Sequence, residues 1–246
     1  MSFEEVESPA PDPAAPNAVA NYGSTREMLA TPGAAPGGYI EGEFNSGYIK
    51  LPYVNLTQKM SSADLLEFGV GSLVFDKAVK VGDTRNPLEI TVLRLKKQYR
   101  QNLPQGAQEM PQTFNSMAEV RAAGMVLGST RDGKSASEQG VFQLAIKAPA
   151  TLGEDELARF PYEHNGSHWA PAMFIASSTA YGSFVKPVIT LSMPGQPLAG
   201  GPFLGKFELH VEKRTNPKGE FFAPKPLFKG LHSAEEVAFF KSIIGE

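Results

Sequence analysis

The sequence predicts a mostly β fold: an antiparallel, OB-like partly open barrel or sandwich with a C-terminal helix and a disordered N-terminal leader. Short runs in which apolar and polar residues alternate, such as Val141–Ile146, are typical of half-buried strands. The 24 Gly and 20 Pro residues supply turns between these runs. Only two or three short stretches have helical spacing, which argues against alternating βαβ units. The number of strands alone does not separate an OB-like barrel from a jelly roll.

Composition divides the chain into two regions. Residues 1–38 contain six prolines among many Ala and Gly residues. This leader has too few side chains to bury to offset the entropy of ordering, so we expect it to be disordered. Within it, the capping-box spacing of Ser24 and Glu27 favours a short helix over Ser24–Leu29. Residues 39–246 are expected to form one β-rich globular domain that ends in an amphipathic helix.

The elements of this domain follow from local patterns. Ser116 and Glu119 have capping-box spacing, and Ser233 and Glu236 repeat it near the end of the chain. The turn residues of Asn216–Gly219 predict a hairpin. The predicted helices are Ser61–Phe68, Ser116–Ala123 and a last helix that ends near Ile244. The predicted strands are Tyr39–Phe44, Gly47–Leu56, Leu73–Val81, Leu88–Tyr99, Val141–Ile146, Met173–Ser178, Val185–Leu191, Phe203–Arg214 and Glu220–Ala223.

Composition also excludes several classes of protein. The chain has no Cys, so disulfide scaffolds, thiolate metal sites and cysteine nucleophiles are excluded. No apolar run reaches the ~18 residues that a membrane span needs. The acidic, Pro-rich start does not resemble a secretory signal. We therefore expect a soluble, cytoplasmic protein that is not an enzyme and needs no cofactor.

The charge is distributed unevenly along the chain. Residues 1–47 carry seven acidic residues and one basic residue, and the rest carries 19 acidic and 22 basic residues, for a formal net charge of −3. A basic body with an acidic end is compatible with nucleic-acid binding, in which the acidic end competes for the basic surface or recruits partners. The alternative is that the leader only keeps the protein soluble.

One basic segment lies in the predicted strand Leu88–Tyr99. Alternation places Arg94, Lys96, Gln98 and Arg100 on one face, and Leu93, Leu95 and Tyr99 on the other. Successive cations on that face lie about 7 Å apart, close to the spacing of phosphates on a single strand. Lys97 adds a further positive charge, and Tyr99 offers a ring for stacking. The alternative is an edge strand that is kept basic against aggregation.

A second basic segment surrounds the predicted hairpin turn. Phe207, Leu209 and Val211 are expected to face the core. Aromatic rings interleaved with cations are typical of grooves that bind single-stranded nucleic acid. The alternative is that these rings fill the core, although one ring of an adjacent pair on a strand is expected to be exposed. The candidate binding residues here are Lys213, Arg214, Lys218, Phe221, Phe222 and Lys225. We expect the two basic segments to meet in one continuous groove.

Two further motifs have competing interpretations. Gly128, Gly133, Lys134 and Ser135 match the spacing of a phosphate-binding P-loop. A P-loop needs a following helix, and the strand pattern of Val141–Ile146 leaves no room for one, so an exposed hairpin loop is the alternative.

His164 and His168 have the separation of two zinc ligands on a helix. The Gly and Pro residues around them oppose a helix, and no third ligand is evident. A polar loop is therefore the alternative to a metal site.

Several segments resemble replication-region proteins of tailed bacteriophages that are similar to single-stranded-DNA-binding proteins. These segments are Leu51–Met60, Gly69–Phe75, Leu88–Tyr99 and Gly219–Lys225, about a third of the chain. The resemblance implies an OB-like barrel that coats single strands without sequence preference. This chain departs from that class because it ends in an amphipathic helix, with its acidic residues at the front.

The leading hypothesis is thus a non-catalytic protein that binds single-stranded DNA or RNA in phage DNA replication or recombination. Replication or recombination proteins are expected as partners, through the leader or the last helix, and no membrane is. One alternative is a β-sandwich protein of the virion that uses the leader as an arm. The other is an NTPase that works through Lys134.

Overall fold

A computed structural model of the chain describes residues 51–217 and 219–244. The predicted disordered leader (residues 1–38), the helix Ser24–Leu29, the strand Tyr39–Phe44 and the start of Gly47–Leu56 lie outside the described residues, as does Lys218.

The described elements are mostly strands. The strands are β1 (Val54–Leu56), β2 (Leu73–Phe75), β3 (Val79–Gly82), β4 (Leu88–Gln101), β5 (Thr113–Phe114), β6 (Val126–Leu127), β7 (Ser135–Lys147), β8 (Tyr162–His164), β9 (Ser167–Ser177), β10 (Gly205–Asn216) and β11 (Gly219–Leu231). The helices are α1 (Ala63–Leu66), α2 (Met117–Ala122), α3 (Glu154–Leu157), α4 (Ser178–Ala180), α5 (Lys186–Leu191) and α6 (Ala234–Ile243). A π-helical turn (Tyr181–Val185) joins α4 to α5, and a 3-10 turn (Pro202–Leu204) precedes β10.

The strands form two sheets. The larger has the order β11-β10-β4-β7-β9-β8, with β5 added to β4 and β6 added to β7. The smaller has the order β1-β2-β3. Among the described strands only β6 and β7 pair in parallel. The prediction of a mostly antiparallel β fold with a C-terminal helix is confirmed, and the described strands do not close into a barrel.

Strand β1 connects the two sheets. Tyr53, just before β1, forms a bridge with Met173 of β9. On its other side, Gln58 bonds to the backbone of Phe222 in β11. Since β9 and β11 lie far apart in the strand order, β1 spans the gap between these two strands.

The main core lies between the large sheet, the small sheet and the turn Tyr181–Val185. Phe207, Leu209 and Val211 face into it, as the alternation of β10 predicts. A second cluster lies on the opposite face of the large sheet, where Phe240 of α6 packs on Trp169 of β9. This second cluster explains why the last helix is amphipathic, since its apolar side chains cover this face of the sheet.

Two predicted strands differ in the structure. Val185–Leu191 is helical, because the buried residues Phe184, Val185 and Val188 recur with helical spacing; the β-branched composition had favoured a strand. The predicted strand Leu73–Val81 is divided into β2 and β3. Asp76 and Lys77 adopt positive φ angles of 50° and 55° there, which reverses the chain in a tight turn.

The capped helices form as predicted. The Ser116 side chain accepts the backbone N–H of Glu119, and Ser233 and Glu236 form a reciprocal capping box. Within the described ranges, each helix is too short or too polar to cross a lipid bilayer.

Candidate nucleic-acid interface

The first basic segment occupies the second half of β4. A β-bulge between Val92 and Arg94 shifts the alternation there. Leu93 therefore lies in the cluster under α6, on the face opposite Val92, which corrects the prediction that it shares a face with Leu95 and Tyr99. Beyond the bulge the prediction holds, and Arg94, Lys96 and Arg100 are exposed.

Lys97 and Tyr99 are engaged within the protein. Lys97 Nζ lies 2.6 Å from Glu138 Oε1 and 5.3 Å from the centre of the Tyr99 ring. The hydrogen bond with Glu138 is the main reason why the pKa of Lys97 lies above its ordinary value. Tyr99 is only 6% exposed and packs with Phe114 and Val120. Its predicted role as a stacking surface is therefore wrong, because its ring is already covered.

The second basic segment lies at the end of the β10–β11 hairpin, where its cations meet carboxylates. Arg214 Nη2 lies 3.1 Å from Glu212, and Lys225 contacts the other oxygen of the same carboxylate. The hydrogen bonds from Lys225 and then Arg214 lower the pKa of Glu212. Lys218 is outside the described residues.

Glu220 joins this hairpin to Lys59, which lies shortly after β1. Its two carboxylate oxygens lie 2.7 Å from Lys213 Nζ and 3.6 Å from Lys59 Nζ. The hydrogen bond from Lys213 is the main reason why the pKa of Glu220 is lowered. All three side chains are about half exposed, so a phosphate can reach the two lysines and compete with the carboxylate for them.

An aromatic groove with a volume of about 670 Å³ opens beside this cluster. The aromatic residues that line it are Tyr53, Phe174, Phe221 and Phe222. Tyr53 is 43% exposed, whereas Phe221 and Phe222 are both half-buried. The expectation that one ring of the Phe221–Phe222 pair is exposed is therefore wrong: the two rings point to opposite faces of β11, and each face is partly covered.

Polar atoms complete the wall of this aromatic groove. Asn55 lies in β1 and Gln58 just after it, and Ser177, Ser178 and Thr179 lie where β9 passes into α4. Ser178 has a φ of 51°, which turns the chain sharply from β9 into α4. The groove therefore offers rings for stacking and hydrogen-bonding groups for base edges or phosphates, which are the two contacts that single-stranded nucleic acid needs.

The two basic segments do not lie side by side in the sheet. The ladder between β4 and β10 covers only Leu88–Thr91 and Lys206–Leu209, and it ends before either basic segment begins. Since the strands are antiparallel, the segments extend away from this ladder in opposite directions. The turn Tyr181–Val185 contacts both: Lys97 lies over the Tyr181 ring, and Ser183 Oγ donates to the carbonyl of Pro224. The expected continuous groove is thus replaced by two separate basic surfaces.

The P-loop-like segment does not form a phosphate cradle. The backbone N–H groups of Gly128 and Gly133 donate to Ala136 and Asn102. The N–H of Lys134 donates to the side chain of Asp132. Ser135 is 2% exposed and begins strand β7 instead of a helix. The backbone N–H groups and the serine that would hold a phosphate and its magnesium are therefore used by the loop itself, which favours an exposed hairpin loop over a P-loop.

The two histidines of the zinc-like motif also lie apart. His164 pairs with Ser167 and His168 pairs with Glu163 in the β8–β9 hairpin, so the two side chains point to opposite faces. The His164 ring stacks on Phe239 at 4.5 Å. Within residues 51–217 and 219–244 no three His, Cys, Asp or Glu side chains are grouped as a metal site would require.

Sequence reasoning missed Tyr53, Gln58 and Lys59 as site residues. They lie in Leu51–Met60, a segment singled out only by its resemblance to phage proteins. One sequence signal could have indicated this segment: an aromatic residue, Tyr53, directly follows Pro52 at the start of a short strand. Comparisons with protein-family models, with curated proteins and with solved structures each found no match.

Proposed function

We propose that this chain is a non-catalytic protein that binds single-stranded nucleic acid in the aromatic groove. Bases would stack on Tyr53 and Phe222, while Lys59, Lys213 and Arg214 would neutralise phosphates along the rim. The role in phage DNA replication or recombination follows from the resemblance described above and is part of the proposal.

The proposal includes the finer fold class, an OB-like partly open barrel. The path β11-β10-β4-β7-β9 supplies five antiparallel strands. β1 stands between the two ends of this path, held by the Tyr53–Met173 bridge on one side and the Gln58 side chain on the other. This arrangement supports a barrel whose gap is filled by an added strand.

One observation carries the functional proposal: segments that are remote in sequence converge on the aromatic groove. Gln58 and Phe222 are 164 residues apart, yet two hydrogen bonds join them. The ring of Phe222 also packs on Gly71. Three of the four segments that resemble the phage proteins therefore meet at the groove that has both rings and cations.

The cations of β4 form a different surface and are not part of this groove. Lys97 is paired with Glu138, and Tyr99 is buried, so only the exposed face with Arg94, Lys96 and Arg100 is accessible there. The proposal thus keeps the hairpin residues of the sequence prediction and removes the β4 residues from the stacking site.

The test is a fluorescence-anisotropy titration with labelled oligo(dT) of about 20 nucleotides, which exceeds the site size of one OB fold. We expect saturable binding at about 50 mM salt, with log K falling against log salt by roughly 0.7 for each phosphate neutralised. Tyr53→Ala should weaken binding by about 5-fold or more, since one stacked base contributes ~1–3 kcal/mol.

Lys134→Ala is the matched control for a lysine substitution, because Lys134 is exposed and lies in the loop before β7. Lys213→Ala should weaken binding and reduce the salt slope, and Lys134→Ala should do neither. If the chain does not bind oligo(dT) at low salt, the proposal fails and the virion structural role takes its place.

A further inference from the structure

One edge of β4 is left without a neighbouring strand. β7 pairs with β4 along Ile90–Gln101, so β10 and β5 must pair with the other edge. On that edge β10 reaches only Leu88–Thr91, and β5 covers only Tyr99–Arg100. In the part of the chain that the structure describes, no strand pairs with this edge between Val92 and Gln98. Bare strand edges are templates for pairing with another chain.

An apolar groove of about 680 Å³ runs beside this edge, and we call it the edge groove. The 3-10 turn Pro202–Leu204 and the end of α5 form its opposite wall. Ile189 is 40% exposed and Met193 is 55% exposed. Large exposed apolar side chains grouped beside a bare strand edge are typical of an interaction surface.

The charged side chains beside the edge groove are cations among the residues that the structure describes. Arg94 and Lys96 line it from β4. Lys241 of α6 lies 5.3 Å from the centre of the Phe203 ring on the opposite wall. Among the described residues that line the groove, none is Asp or Glu. A ligand that fits this surface is therefore apolar on one side, acidic on the other, and able to hydrogen-bond with a strand edge.

We propose that the β4 edge between Val92 and Gln98 binds an extended acidic peptide of a partner protein by β-strand addition. The backbone of the peptide pairs with β4, its apolar side chains enter the edge groove, and its Asp or Glu residues face Arg94, Lys96 and Lys241. Backbone pairing supplies affinity in this mode, and alternate side chains supply specificity. The proposal is independent of the aromatic groove.

Two other occupants fit less well. A second copy of this chain, paired edge to edge, would place Arg94 and Lys96 opposite the same cations of its partner, and like charges directly opposite each other are destabilising. A nucleic acid lacks the alternating N–H and C=O groups that a strand edge requires. Among the described residues that line this groove, Phe203 has the one aromatic ring, which is half-buried and has Lys241 over it.

The probe is a fluorescein-labelled peptide of about eight residues in which Asp and Ile alternate, which is long enough to span the bare edge. The full chain should raise its anisotropy in a saturable way. In two control peptides the N-methyl groups lie either on the Asp residues or on the Ile residues. One of the two should bind at least tenfold more weakly than the unmodified peptide, because the backbone edge that faces β4 can no longer donate. Lys96→Glu and Ile189→Asp should each weaken binding by at least fivefold.

Lys186→Glu is the matched control, because Lys186 is exposed on α5 but does not line the edge groove. It should bind the peptide as the unaltered chain does, as should Tyr53→Ala. Unreduced binding of both N-methylated peptides, no binding at about 1 mM peptide, or an unchanged affinity of Lys96→Glu overturns the proposal. If oligo(dT) displaces the peptide and Ile189→Asp weakens oligo(dT) as well, the edge is a nucleic-acid site and the peptide proposal is wrong.

Discussion

The side chain of Gln58 occupies both hydrogen-bonding groups of the Phe222 backbone. Its amide nitrogen donates to the carbonyl of Phe222 at 2.8 Å, and its amide oxygen accepts the N–H of Phe222 at 3.0 Å. In this way one side chain acts as a neighbouring strand would. It holds β11 against the small sheet and sets the width of the aromatic groove.

Gln58→Leu should therefore open the aromatic groove and leave two backbone groups of Phe222 without partners. Each lost hydrogen bond typically costs about 1 kcal/mol, so the free energy of unfolding should fall by roughly 1–3 kcal/mol. Urea titration measures this change, and oligo(dT) affinity should fall with it. Gln112→Leu is the control. Gln112 is exposed, and its backbone carbonyl, which the substitution keeps, accepts the N–H of Gln101 at the far end of β4. Equal losses in both variants would contradict the role assigned to Gln58.

The ring of Phe222 also explains why residue 71 is a glycine. A Cβ atom at Gly71 would lie 2.8 Å from the Phe222 ring, and the residue has a φ of +86°. Gly69 has nearly the same φ, +84°, but its Cβ would meet nothing closer than 3.8 Å. Gly69→Ala should cost about 1 kcal/mol from backbone strain alone. Gly71→Ala should cost more, by roughly 1–3 kcal/mol of overpacking.

Thermal or urea unfolding of the two glycine variants separates backbone strain from the clash. Phe222→Leu should recover part of the loss in Gly71→Ala and none of the loss in Gly69→Ala. If the two glycine variants are equally destabilised, the ring does not press on Gly71 and the aromatic groove is less tightly packed than described.

Local patterns were enough to predict the hairpin and the capped helices. The turn residues of Asn216–Gly219 set the register of β10 against β11, and alternation then placed Phe207, Leu209 and Val211 in the core. The serine caps of α2 and α6 depend on contacts three residues apart. Each of these features is determined within a short window of the chain.

The aromatic groove and the bulge in β4 could not be predicted in this way. The contact between Gln58 and Phe222 depends on the path of every strand between them. The bulge that turns Leu93 toward α6 has no local signature, because an extra residue in a strand shows only against its partner strand. The expectation of one continuous groove failed for the same reason. Alternation within a strand predicts the face on which each side chain lies, but it does not predict how far one strand is offset along its neighbour.

The last helix is predicted to depend on one ring. Phe240 is 1% exposed and meets the Trp169 ring edge-on, with the ring centres 5.0 Å apart. Phe240→Ala should lower the free energy of unfolding by about 3–5 kcal/mol, the usual cost of emptying such a site. Emission of Trp169, the only Trp, should shift to longer wavelength as water reaches the ring. Phe239→Ala, at a half-buried position, should cost less, and an unchanged emission spectrum in Phe240→Ala would contradict this packing.

Acid should destabilise the domain through Glu236. Burial raises the pKa of this carboxyl, but hydrogen bonds from Lys206 and the backbone of Ser233 outweigh it and lower the pKa to about 2. Because the folded pKa lies below the unfolded value, the stabilisation is present above about pH 4.5 and is lost as the pH falls toward 2. It amounts to roughly 2–3 kcal/mol. Urea titrations at pH 7 and pH 3 should show a smaller loss for Glu236→Gln than for the unaltered chain.

Glu220 gives the sharpest test of the aromatic groove, because its removal should strengthen binding. The carboxylate holds Lys59 and Lys213 at the rim, so a phosphate must displace it to reach them. Glu220→Gln removes this competition and one negative charge, and oligo(dT) affinity should rise about 2- to 10-fold at low salt. Glu138→Gln is the matched control, because it releases Lys97 in the same way on a surface outside the groove. Tighter binding in both variants would show only a general charge effect, whereas tighter binding in Glu220→Gln alone would place the phosphates at this rim.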